Sequence, residues 1–454
     1  MMDDYVSLDL LLKLALPTLV GGLLILIWPR RALMLFLLLA PLNYFYVIAF
    51  NWQVTWEAAG GVSEGAPPFI KYAKDALFLV IAIACILALL IGREKHQAGH
   101  HMLDWIVSLF VAYQVVMVIP AGIALGSLPA LIALWQNTGY SFCYFILRAV
   151  MSNASIASIR LWISRLVLVG GLVAVIGIVH YFATTTSFQY VSGNYQGLNR
   201  AVSTMGAPTN LGLYLGGLLL VSLAVDFYKV NIVQFGAALT MAVCLLLTVS
   251  MSALFGTLAG VAIILVKRRR WRQLFFTGAL SFIGAFLAAN LVPSIGQRVL
   301  AVFSGEDEAW LLRLENWSHL WPSEPVALLY GVGGGAGGAM TVSFHDQGLL
   351  ADNQYLAVFI QFGSLGLVLY MGILLVSIMG GLHLQLGSLP PEVKKLRLAG
   401  SLVVVLMALG SVSGNLLNLF PINLYFWAAL ALVASIKTNR RSSVVRMPLS
   451  RALT

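Results

Sequence analysis

Long apolar blocks alternate with short polar connections along almost the whole of this chain. The blocks fall at 8–28, 32–51, 75–92, 103–125, 128–148, 160–183, 208–227, 231–250, 252–267, 274–292, 354–380, 398–420 and 422–436. Most approach the roughly 20 residues that carry a helix across a bilayer core. Within each block the apolar residues are continuous, whereas membrane-spanning strands alternate apolar with polar, so the pattern predicts helices and excludes an outer-membrane barrel. The expected fold is all-α: a polytopic helical membrane protein, a single integral membrane domain over 1–454 with about 12–13 transmembrane helices. No internal repeat is visible, which argues against an inverted-repeat transporter.

One segment breaks this rhythm. Residues 293–353 form the longest stretch that a bilayer would reject, with Arg298, Arg313, Glu315, His345 and Asp352 among its charged or titratable residues. Acidic Glu306, Asp307 and Glu308 precede a predicted helix over 309–321, where they suit the positive end of a helix dipole. At about 3.6 residues per turn, Trp310, Arg313, Trp317, Leu320 and Trp321 share one face, while Glu308, Glu315 and His319 share another. That is the pattern of a helix lying at a membrane interface, tryptophans down, and Pro322 ends it. The glycine cluster at 331–338 predicts a tight turn with close backbone packing. It lacks the Gly-Lys-Ser/Thr of a nucleotide-binding loop.

Composition sharpens the class. The chain is 60% hydrophobic and 10% charged, against about 25% charged in soluble domains, so it has too little polar surface for water. The net charge of +10 does not imply a nucleic-acid partner, because the basic residues gather in clusters at the ends of the apolar blocks. With the N-terminus outside, one set of connections holds Arg30, Arg31, Arg93, Lys95, Arg148, Lys229, Lys267 to Arg270, Arg272, Lys394, Lys395 and Arg397, and the basic tail 437–454 adds more. Arg160 and Arg165 open the sixth span on the same side. The opposite connections hold only Lys71, Lys74, Arg200, Arg298 and Arg313. The first set is therefore expected in the cytoplasm, with 51–74, 184–207 and 293–353 outside. The acidic start Met1-Met-Asp-Asp4 is unlike a signal peptide, so the first block reads as a retained helix. Cys85, Cys143 and Cys244 each fall in an apolar block and read as small core residues.

The outer side supplies the candidate chemistry. Arg313 and Arg200 are fixed positive charges on the side depleted of them. Each reads either as an interfacial anchor or as a clamp for a diphosphate, whose oxygens a guanidinium binds in pairs. Arg298 is a third candidate, although it follows a helix end directly and suits a headgroup anchor. Asp352 opens the block at 354–380 and reads as a helix N-cap, as a general base, or as both. His345, seven residues earlier, is the other candidate base. No His, Cys or Asp spacing suggests a metal site.

Four segments carry a resemblance. Arg200 followed by Gly206-Ala-Pro-Thr-Asn210 resembles the Arg…Pro-Asn segment of the bacterial O-antigen ligase and O-antigen polymerase superfamily. Ser250-Met-Ser-Ala253 is similar to its Ser-Arg-Gly-Ala segment. Arg313-Leu-Glu-Asn-Trp317 and then Gly331-Val-Gly333 resemble its Arg-x-x-x-Trp…Gly-x-Gly run. Asp352-Asn-Gln-Tyr-Leu356 with Gly363-Ser-Leu-Gly366 resembles its His-Asn-x-Tyr-Leu…Gly-x-x-Gly. The likeness covers about residues 200–380, with two departures: Met251 or Ser252 stands for the arginine, and Asp352 for the histidine that ligases carry. The second leans toward the polymerase branch.

The resemblance implies a metal-independent, inverting glycosyltransferase without cofactor, in the bacterial inner membrane, with 293–353 as a periplasmic catalytic loop. Its donor would be a glycan on undecaprenyl diphosphate, held by Arg200 and Arg313. Asp352 or His345 would activate the acceptor hydroxyl. The implied reaction is polymerisation of O-antigen or exopolysaccharide repeat units, with ligation onto a lipid A core as the alternative. Partners would include a chain-length regulator and a flippase. A flippase or other transporter is the competing class, and it would need ionisable residues deep within the spans.

Overall fold

The computed structural model describes residues 27–42, 68–90, 101–125, 138–182, 200–229, 231–276, 304–305, 308–320, 325–333, 352–383 and 389–435, with the single positions 25, 135 and 278. The spans expected at 8–28 and 274–292 lie almost wholly outside these residues, and so do Arg298 and His345. Within them the protein is all-helical, with no strand. We label the helices α1 (Pro29–Leu39), α2 (Pro68–Leu90), α3 (Met102–Val116), α4 (Val118–Leu125), α5 (Phe142–Asn153), α6 (Ile156–Phe182) and α7 (Pro208–Val225). They continue as α8 (Ile232–Leu247), α9 (Met251–Lys267), α10 (Glu308–Leu320), α11 (Pro325–Tyr330), α12 (Gln354–Leu382), α13 (Pro391–Gly410) and α14 (Ile422–Ser435). Helices α6, α7 and α12 are long and apolar enough to cross a membrane.

Local sequence explains where several helices start and stop. Proline opens α1, α7 and α13, where its missing N–H costs nothing and its φ is already helical. Asn231 caps α8 by accepting the Gln234 N–H at 2.8 Å. Asp226 ends α7 by entering the left-handed region, φ 63°.

Helix α13 is the hub, packed against α7, α9, α12 and α14, and α6 pairs with α8 at one flank. Close approach comes from small residues. A Cβ on Gly216 of α7 would collide with the Thr257 hydroxyl of α9, and one on Gly256 would meet Leu406 of α13 at 2.6 Å. The three cysteines are free and buried, as expected of small core residues. Outward, α6 shows Leu161, Leu168, Leu172, Val175 and Val179, and α12 shows Leu365, Val368, Met371, Leu375 and Met379. These stripes follow the helical period and leave the flanks of the bundle apolar.

The two ends of the bundle differ in charge. At one end basic side chains cap the C-termini of helices, the negative ends of their dipoles. Arg268 donates to Leu223 O at 2.9 Å, Lys267 to Leu382 O, and Arg148 to Ala434 O at 3.0 Å. Arg148 also pairs with Asp104, and Arg160 with Glu392. Asp226 lies here too, with Arg268 at 3.1 Å and Lys229 and Lys395 each at 3.3 Å. Partial burial pushes its carboxyl up, but Arg268 and the two lysines outweigh burial and hold it below the usual carboxylate range. The opposite end, where α7, α9 and α12 begin, contains Arg200, Arg313 and Lys74 among its described basic residues.

At that opposite end, α12 is broken. The block 354–380 predicts one continuous helix, but Gly363 has φ 61° and ψ −167°, which interrupts it. The carbonyls freed there are taken by the segment that follows α11: Val332 N–H donates to Ile360 O at 2.9 Å and Gly333 N–H to Gln361 O at 3.1 Å. The segment lies so close that a Cβ on Gly363 would run into Leu329 O and Gly331 N. Gly331, φ 86°, meets Gln361 O and Phe362 N in the same way. The close backbone packing expected of the glycine cluster is thus present at Gly331 and Gly333.

This makes a testable contrast between two glycines. Gly363→Ala demands both a left-handed alanine and space already filled by backbone, so we expect a loss above about 2 kcal/mol. Gly236→Ala, inside α8 with nothing within 4 Å of the new Cβ, should be neutral or stabilising by up to about 1 kcal/mol. Thermal melts of the purified variants in detergent check both. Equal melting would mean that the break in α12 is not held by this contact.

Candidate functional site

The helix expected over 309–321 is present as α10, Glu308–Leu320. Its polar face is as read, with Glu315 and His319 exposed. On the other face Trp317 packs on Leu356, Ala357 and Ile360 of α12, ahead of the break. Trp317 is thus set against protein and not down into lipid. The reason is that the outer part of α12 offers an apolar surface at the height where α10 lies.

This packing brings Arg313 to Asp352. The guanidinium Nε lies 3.6 Å from the carboxylate Oδ2, with the side chains 31% and 55% exposed. At that distance the two attract but are not hydrogen-bonded, so each keeps its bonding capacity. Asp352 does not cap α12. Asn353 does, with its Oδ1 accepting Tyr355 N–H at 2.9 Å and Leu356 N–H at 3.1 Å. The capping role read for Asp352 therefore passes to its neighbour, and the carboxylate is left facing outward beside a fixed positive charge.

The start of α12 is anchored from the turn after α13. Gln354 donates its N–H to Ser411 O at 2.8 Å, and its Oε1 accepts Leu417 N–H at 2.6 Å. Tyr355 OH donates to Ala408 O at 2.7 Å. Asp352 therefore leads directly into a rigid segment, the requirement for holding a reactive group to within a fraction of an ångström.

Arg200 has different neighbours. Its Nε donates to Thr248 O at 2.9 Å and its Nη2 lies 3.5 Å from Val249 O, in the turn between α8 and α9. Ala201 N–H reinforces this by donating to Leu247 O at 2.9 Å. Val249 sits at φ 47°, a costly setting for a β-branched residue, and Arg200 helps to hold that turn. Two of the four resemblance segments come close together here: Arg200 bonds the turn that leads into Ser250, and a Cβ on Gly212, two residues past Asn210, would lie 2.8 Å from Ala253 Cβ. The other two meet at the break in α12. Arg298 and His345 lie outside the described residues.

Sequence reasoning missed a second polar cluster at this end. Asp75 of α2 accepts Tyr140 OH at 2.6 Å and pairs with Lys74 at 3.0 Å, and Lys74 lies 5.6 Å from the centroid of the Phe420 ring. Its signal is a lone acid opening an apolar run. Two carboxamides were also missed. Gln114, 1% exposed, and Asn415 both bury their nitrogen and oxygen atoms with no hydrogen-bond partner among the described residues. Such atoms can bind hydroxyl groups, each as donor and acceptor.

The site thus offers a cation and a carboxylate side by side, on rigid backbone, at the sparsely basic end of an apolar bundle. No protein-family model matches the chain, and none of the curated proteins compared with it matches either.

Proposed function

We propose that this protein is a polytopic membrane glycosyltransferase that elongates a surface polysaccharide from glycan units carried on undecaprenyl diphosphate, at the periplasmic face of the inner membrane. The observation that carries the reading is the Arg313–Asp352 pair, whose members attract across 3.6 Å without consuming each other's hydrogen bonds. The pair supplies the two groups such a transfer needs, a cation for the departing diphosphate and a carboxylate for the proton of the attacking hydroxyl. Arg313 binds the diphosphate oxygens and stabilises their growing charge. Asp352 takes the proton of the acceptor hydroxyl as that oxygen attacks the anomeric carbon from the face opposite the diphosphate. The bond to the diphosphate breaks, the new glycosidic bond forms with inversion, and Asp352 returns the proton to water. Arg200 adds positive charge at the same end while holding the α8–α9 turn.

The membrane reading rests on the apolar flanks, on the three helices of crossing length and on the segregation of charge between the ends. Transport is less favoured. Asp226 and Glu392, acids of the type a coupling site uses, are ion-paired at one end. Ligation onto a lipid A core would use the same two residues, and the acceptor alone separates it from polymerisation.

Orientation is testable by single-cysteine labelling, since the native cysteines are buried. Glu315→Cys should react with an impermeant maleimide from outside the cytoplasmic membrane, and Lys229→Cys and Arg270→Cys only after permeabilisation. Protection of Glu315→Cys until permeabilisation would put the pair on the wrong side for a lipid-linked glycan and end the proposal.

A further inference from the structure

We infer that a cavity at the basic end of the bundle, between the start of α1 and α6, binds the phosphate headgroup of an anionic lipid. The cavity has a volume of about 680 Å³, within the roughly 300–1,000 Å³ of small-molecule sites. Arg30 and Arg31 from α1 and Arg165 from α6 converge on it. Arg165 lies 134 residues beyond Arg31, so the fold assembles this cluster.

Three features point to the ligand. The first is unbalanced charge. Elsewhere at this end acids pair with basic side chains: Asp226 faces Arg268, Lys229 and Lys395, Glu392 faces Arg160, and Asp104 faces Arg148. Arg31 and Arg165 have no acidic partner among the described residues, and Arg31 lies 5.4 Å from the centroid of the Trp28 ring. Guanidinium groups gathered in a concavity suit phosphate oxygens. The second is an apolar floor, Met34 and Leu38, continuous with the exposed Leu35 on the flank of the bundle. A free phosphate has no use for it, but an acyl chain does. The third is the pair of rim tryptophans, Trp28 and Trp162, the residue type that settles at headgroup depth.

The inference rests on the membrane reading and not on sugar transfer. The full-length protein is reconstituted in vesicles of phosphatidylcholine mixed with phosphatidylglycerol, and co-purifying lipid is read by native mass spectrometry. Wild type should retain phosphatidylglycerol in preference. Arg31→Gln with Arg165→Gln should lower that preference about 10- to 30-fold, the effect of two cationic contacts at a lipid surface. Arg269→Gln with Arg272→Gln removes equal charge from exposed positions outside the cavity and should change it less than about twofold. Equal losses in the two double variants would reduce the cavity to diffuse charge and overturn the site. If inorganic phosphate displaced the bound lipid as well as phosphatidylglycerol does, the ligand would be a soluble phosphate and the lipid assignment would fall. Alkaline carbonate extraction tests the premise separately. Release of the wild-type chain would defeat the membrane reading, whereas retention with no lipid preference would defeat this inference alone.

Discussion

Asp352→Asn should give a protein that folds like the wild type and extends lipid-linked repeat units roughly 10²–10⁴ times more slowly, the usual cost of losing a general base. The folding half follows from what the carboxylate does not do. Asn353 caps α12, so the substitution removes no cap. The side chain is 55% exposed and meets Arg313 at 3.6 Å, and exposed pairs of this kind contribute about 0–1 kcal/mol. A thermal melt in detergent should therefore barely move. The catalytic half follows from the amide, which cannot take the proton of the attacking hydroxyl. Losing the negative charge beside Arg313 also leaves that arginine no weaker a partner for diphosphate, so KM should stay level or fall while kcat drops. That split distinguishes a base from a residue that merely shapes the site. Normal extension by Asp352→Asn, with His345→Ala inactive, would move the base to His345. Normal extension by both would remove general-base catalysis from this loop.

The sequence reads well wherever a structural feature is decided locally. The block 252–267 becomes Met251–Lys267 and 422–436 becomes Ile422–Ser435, because a long apolar run between breakers has few other solutions. The helix at 308–320 is legible for a similar reason: acids lead it and one face is aromatic. Features decided at a distance are not legible. The Gln361-Phe-Gly-Ser-Leu-Gly366 stretch looks like any apolar helix, and its break exists because Val332 and Gly333 arrive from another segment to take the freed carbonyls. Asp352 and Asn353 are equally good caps by type, and only backbone geometry chooses between them. Arg200 shows the same limit. Its charge on the sparsely basic side is plain in the sequence, but the carbonyls of Thr248 and Val249 that it serves lie 48 and 49 residues away. The pairing of Arg313 with Asp352 is likewise tertiary, brought about by Trp317 docking on α12.

The two arginines should separate under the same substitution. Arg313→Ala should melt within about 1 kcal/mol of wild type, since it loses one half-exposed ion pair. Its extension rate should fall about 10²–10³-fold, as when one donor to a developing oxyanion is removed. Here KM should rise as well, because the diphosphate is bound before it leaves. Arg313→Lys keeps the charge on a flexible point donor and loses the planar fork, so it should recover only part of the rate. Arg200→Ala should behave otherwise. It strips donors from the carbonyls at the end of α8, and leaving such groups unmatched costs about 1–3 kcal/mol, so the melt itself should drop. The double variant Arg313→Ala with Asp352→Asn adds the decisive comparison. Residues serving one transition state are not additive, so its rate should fall little below that of the slower single variant. Multiplicative losses would mean that the two act independently, and unchanged extension in Arg313→Ala would leave the arginine as an interfacial anchor.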